Sequence, residues 1–215
     1  RSRGIAFSGI AFSGIAFSGT GSAFGFDIQF DYSKDTGNFF NRQRRILLYR
    51  AAQAFEDLFQ DDLTSISPSG SNTWVAEYRH PSTGAQTSTS NLVIPAETVV
   101  IFVGARDLGD GITSESSMGS FTASGSVEWI DVLKRRGQCG ITEGPNANEV
   151  APWGGWPTLN NDLGGNLAWW EDWSDRVRID TDVDMFWVVV RELAHVLGFG
   201  VSYSWFALVE EAVGG

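Results

Sequence analysis

Chemistry enters this 215-residue chain at one place, the stretch WVVVRELAHVLGFG from Trp187 to Gly200. It is apolar at nearly every position, yet Arg191, Glu192 and His195 stand close together in it. On a helix each residue turns about 100°, so residues 191 and 195 project about 40° apart and Glu192 about 60° from His195. Charges and an imidazole gathered in one sector of an apolar helix cost several kcal/mol, roughly, unless a metal, a charge network or a solvent-filled cleft receives them. With histidine at 191, two imidazole nitrogens could hold one zinc ion while Glu192 polarised a zinc-bound water and moved its proton. Arginine defeats that arrangement, because a guanidinium stays protonated and has no lone pair to give. The bland alternative is a buried helix in which Arg191 and Glu192 reach solvent and His195 is a hydrogen-bonded core residue. The other histidine, His80 in EYRHPSTG, falls at the end of an expected strand and reads as a turn residue.

The elements that must position this helix can be followed along the chain. Residues 1–22 carry GIAFS three times, a period of five that fits neither helix nor strand, and read as low-complexity sequence outside the folded domain. Residues 23–215 read as one domain. FGFDIQFDY alternates like a half-buried strand, and residues 41–61 present an apolar stripe of three-four spacing with Asn41 as N-cap. A second strand is expected over Thr73–Arg79, followed by a polar Ser/Thr loop. ETVVIFVGARDL is a continuous apolar run expected of a central strand covered on both faces. A short edge strand is expected around Phe121, a helix over Ser126–Arg136 ending at Gly137, and loop with one or two short extended pieces over residues 140–165. NLAWWEDW is ambiguous between strand and turn. The last helix is expected to start from Thr181 as N-cap and stop at Gly198. The order predicts an α+β fold, a twisted mixed sheet packed against a backing helix and the helix that carries the polar sector.

Composition narrows the functions. A formal net charge of -11 removes the basic footprint that nucleic-acid binding needs. No apolar run approaches the roughly twenty residues of a membrane span. Cys139 is the sole cysteine, so no intrachain disulfide can form. The chain opens on Arg1 and ends on EEAVGG soon after the motif, which suggests a fragment truncated at its C-terminus.

RELAHVLGFGVSYSW resembles the HELGHVLGF segment of zincin-type metallopeptidase-like proteins of bacteria, commonly exported. FDYSKDTGNFF, RRILLYRAAQAFEDLFQDDLTSI, IPAETVVIFVGARDLG and APWGGWPTLNND are similar to successive segments of the same proteins. The resemblance covers roughly residues 24–209. It implies a zincin-like N-terminal lobe, a zinc cofactor, a peptide or protein substrate, an extracellular location and peptide hydrolysis by zinc-activated water. Carried over residue by residue, Glu192 matches the general base, His195 matches the second zinc ligand, and Arg191 stands at the first ligand position. Gly198 matches the glycine of the compact H-E-x-x-H-x-x-G-x-x-H pattern, but Val201 stands where its last histidine would be. One ligand is thus substituted and a third is not visible, so impaired zinc binding is expected of this chain. The alternative is a non-catalytic extracellular binding or adhesion module, with Trp153, Trp156, Trp169, Trp170 and Trp173 as an aromatic surface for glycans.

Overall fold

A computed structural model describes residues 25–60, 62–172 and 181–214. The GIAFS repeat and Trp173 lie outside the described residues. In chain order the elements are β1 (Asp27–Asp31), α1 (Arg42–Glu56), β2 (Thr73–Arg79), β3 (Gln86–Ser90), β4 (Thr98–Phe102), β5 (Gly104–Arg106), β6 (Ser114–Met118), β7 (Ser120–Ser124), α2 (Val127–Arg135), β8 (Gly154–Asn160), β9 (Ala168–Trp170), β10 (Asp182–Asp184), α3 (Met185–Val196) and α4 (Tyr203–Gly214). The architecture is mixed α+β.

The main sheet is built around β4, which is buried along its whole length. β1 and β8 flank it, both parallel to it. β5 follows β4 past Val103 and pairs in parallel with the later half of β8. On the other side of β8 runs β6, antiparallel, from Ser114 opposite Leu159 to Met118 opposite Gly155. Successive side chains of a strand leave opposite faces, so β4 serves two cores. Val99 and Ile101, with Val103 just beyond, join Leu47, Leu48 and Ala51 of α1 and Met185, Val189 and Leu193 of α3. Val100 and Phe102 join Trp74, Tyr78, Trp129 and Trp153. That second core is closed by the antiparallel sheet β3–β2–β7 and by α2. Helices α1 and α3 therefore lie on one face of the main sheet and a small sheet covers the other. The continuous apolar run of β4 is the signature of that double cover.

Close approach of backbones explains why β8 contains glycines. A Cβ on Gly154 would sit 1.8 Å from the Val100 carbonyl oxygen, at a φ of +152°. The chain passes from β6 of the main sheet to β7 of the small sheet at Gly119, where a Cβ would meet the Trp153 ring at 1.9 Å. Trp153 itself donates from Nε1 to the Ser120 carbonyl and packs edge-on against Trp74.

One charge is buried to hold these layers together. Arg136, wholly buried, follows α2 in the left-handed conformation with φ 48°. Its guanidinium donates to the carbonyls of Thr64, Thr98, Pro95 and Pro152 at 2.6–3.3 Å. Burial pushes its pKa down to about 10, with the field of Glu97 acting the other way.

Several expectations are met and several are not. Asn41 caps α1 by accepting from the Arg44 amide at 3.0 Å. That helix ends at Glu56 rather than reaching residue 61, because Phe59 turns away to pack edge-on against Phe26 and Leu58 is left in solvent. α3 is capped by Asp184, not Thr181: residues 182–184 extend to pair in parallel with β9 before the helix begins. Its β-branched Val188–Val190 run is helical, as expected, and Gly198 follows its end with φ +104°. The polar stretch expected to be loop contains β3, and the region given one edge strand contains two, β6 and β7. β8 falls in a stretch expected to be loop with one or two short extended pieces; it is instead a seven-residue strand, fully buried between β5 and β6. α4 was not expected.

Candidate functional site

α3 carries Arg191, Glu192 and His195 over β6 and β8 at the rim of the main sheet, with α1 beside it. Glu192 lies on the inward face and is 1% exposed. Beneath it β6 presents Ser114 and Ser116, two residues apart and so on one face of the strand. The Ser114 hydroxyl donates to Glu192 Oε1 at 2.8 Å and the Ser116 hydroxyl to Oε2 at 2.5 Å. Arg191 closes the same carboxylate from outside. Its Nε donates to Oε1 at 2.8 Å, its Nη2 stands 2.6 Å from the same oxygen, and Nη2 also donates to Ser114 Oγ at 3.0 Å. Ser114 thus accepts from the guanidinium while donating to the carboxylate, so every polar group around Glu192 is paired. Charge-assisted bonds of this kind are what makes a buried carboxylate tolerable.

Arg191 keeps 58% of its side chain exposed. Its outer surface lines an open cleft of about 360 Å³ with Asp182, Val183, Asp184, Trp187 and Val188. It separates this cleft from the buried carboxylate. Trp187, one turn earlier on α3, is 65% exposed along the same cleft.

His195 takes a different partner. Its Nδ1 lies 2.9 Å from the carbonyl oxygen of Phe199. A carbonyl only accepts, so Nδ1 is the donor in this bond and Nε2 is the ring nitrogen it leaves free. A histidine that donates one ring nitrogen to a backbone carbonyl and offers the other is arranged as metal-ligating histidines commonly are. Gly200 lies against this ring: a Cβ there would be 3.4 Å from it. Among the described residues no hydrogen bond joins His195 to Arg191 or Glu192. Arg191 and Glu192 thus share one ion pair to which His195 is not joined, and the carboxylate's other donors are the serines of β6.

Arg191 has no lone pair, Glu192 already accepts from two hydroxyls and a guanidinium, and His195 is left as one imidazole. Among the described residues no three His, Cys, Asp or Glu side chains are grouped as a metal site. The residues present do not fit a zinc ion.

His80 is a turn residue, as its sequence context suggests: Nδ1 accepts from the Ser82 amide at 3.2 Å. Burial, aided by Lys34, holds its pKa below the usual imidazole value. Of the tryptophans offered as an aromatic surface, Trp170 is half-buried. Trp153 and Trp156 are 3% and 9% exposed because both fill the core between the two sheets, and Trp169 is half-buried with Nε1 donating to the Asn160 carbonyl at 2.7 Å. Among the described residues the most exposed tryptophans, Trp187 and Trp205, were not offered by their sequence context as an aromatic surface. Among the described residues no helix is long and apolar enough to cross a membrane. Compared with models of known families, with curated proteins and with solved structures, the chain finds no match in any of the three.

Proposed function

We propose that this chain is the N-terminal lobe of a zincin-type metallopeptidase-like domain whose hydrolytic site, in this form, is closed by an internal ion pair. Three features support the family reading. A mixed sheet ends in an antiparallel edge strand, β6, directly under the helix that bears the motif. A second helix, α1, backs that helix. His195 offers Nε2 while Nδ1 is held by a carbonyl. In a working relative, zinc would supply a polarised water for attack on a peptide carbonyl.

The observation that carries the closed state is the engagement of Glu192 by Arg191 at 2.6–2.8 Å. A general base must have a lone pair directed at the water whose proton it takes. Here Oε1 faces a guanidinium and a serine hydroxyl, and Oε2 faces a second serine. Arg191 also places a fixed positive charge where a cation would have to sit. The domain retains a peptidase framework without peptidase chemistry.

Fluorogenic peptide mixtures test this reading with zinc added and with chelator. The chain should show no chelator-sensitive cleavage, and Arg191→His should gain measurable zinc affinity. Cleavage by the chain itself, abolished by chelator and by Glu192→Gln, would overturn the closed state. An Arg191→His variant that folds yet binds no zinc would count against the family reading.

A further inference from the structure

A second cavity lies just past the C-terminal end of α3, where β1 and β8 begin, and shares Phe199 with the surroundings of His195. Its volume is about 210 Å³, and its walls include Phe26, Val150, Leu197, Phe199, Trp205 and Leu208. Phe199, Trp205 and Leu208 are 41%, 38% and 59% exposed. Beside them α4 leaves Phe206 and Val209 uncovered as well. An apolar cavity that opens onto an apolar helix face is a docking surface rather than ordinary surface scatter. It is smaller than most small-molecule sites and suits a few apolar side chains better than a cofactor.

We propose that the Ile-Ala-Phe repeat of residues 5–17 docks in cis on this cavity and on the adjoining face of α4. Three observations select that occupant. The cavity wall includes Phe26, next to the first described residue, so the described chain begins at the cavity's edge. The segment is rich in the complementary groups: Ile5, Phe7, Ile10, Phe12, Ile15 and Phe17 recur every five residues, separated by small residues. Phe17 is nine residues from Phe26, a reach of up to roughly 30 Å, so every wall of the cavity is within range. Charge agrees. Residues 1–26 carry Arg1 and Arg3 and no acid, whereas the chain as a whole is at -11 and Glu149 stands in the cavity wall. The proposal is independent of the peptidase reading.

The test compares the full chain with a Phe7→Ser, Phe12→Ser, Phe17→Ser variant, whose changes all lie outside the described fold. Binding of the neutral dye N-phenyl-1-naphthylamine and amide exchange across residues 197–208 are read for both. The full chain should bind the dye at least five-fold more weakly and exchange at least five-fold more slowly than the variant. A synthetic peptide of residues 4–19 should displace the dye from the variant. Equal dye binding and equal exchange in the two chains would overturn the proposal. So would protection that rises with protein concentration equally in both, which assigns the face to a second copy of the chain.

Discussion

Replacing Arg191 by methionine isolates the interaction on which the closed site rests. Glu192 is 2% exposed in its side chain and takes its charge-assisted contacts at 2.6–2.8 Å from Arg191 alone; its other donors are two serine hydroxyls. Breaking a fully buried ion pair from one side costs about 3–5 kcal/mol. Arg191 is 58% exposed, so solvent already screens part of its charge and water can replace part of its contribution. Loss of hydrogen bonds to a charged group is worth about 1.5–3 kcal/mol, which places the Arg191→Met cost at about 2 kcal/mol. Glu192→Gln should cost about 1–2 kcal/mol by the same reasoning, since the amide oxygen still accepts from one serine. The double variant should cost less than the sum by at least about 1 kcal/mol, because methionine no longer leaves a buried charge uncompensated. Urea unfolding of the four proteins at one pH measures the coupling. Additive costs, or an Arg191→Met cost within about 0.3 kcal/mol of zero, would show that the guanidinium merely rests on the surface and would refute the ion-pair account.

Other expectations follow from single contacts. Arg136→Met leaves four carbonyls, that of Thr98 buried and the others partly so, without their donor and should cost about 3–4 kcal/mol in urea unfolding. Arg136→Lys should not restore it, since an ammonium cannot span the same fork. Gly154→Ala drives a methyl into the Val100 carbonyl and should cost about 3 kcal/mol, with loss of exchange protection along β4 and β8. His80 has its pKa held down in the fold, so the unfolded chain binds its proton first as pH falls. Stability should therefore drop as pH falls below about 6.5, the usual imidazole value, and His80→Gln should flatten that part of the profile in urea midpoints taken at pH 7.5 and 5.5.

What could be read from residues alone was the part governed by local pattern. β4 declared itself by an unbroken apolar run, and α1 by its stripe and its Asn41 cap. α3 was recognisable despite three consecutive β-branched residues, because burial against α1 and β4 outweighs propensity. β8 was hidden since Gly154, Gly155 and Pro157 punctuate it; the two glycines serve close backbone contact, not a turn. β6 was hidden because its Ser-Glu-Ser-Ser composition resembles a loop, yet its alternation aims Ser114 and Ser116 at one carboxylate. The site followed the same division. The polar sector on α3 was visible from spacing, but neighbours in sequence point about 100° apart, so nothing local announced that Arg191 would fold back onto Glu192. That contact needs Ser114, brought 77 residues across the sequence by sheet pairing.

Zinc stoichiometry of the purified chain, measured by elemental analysis after equilibration with a small excess of zinc and removal of free metal, tests the closed site most directly. Well below one equivalent is expected, unchanged by Glu192→Gln. One tightly held equivalent, lost on replacing His195 or Glu192, would contradict it.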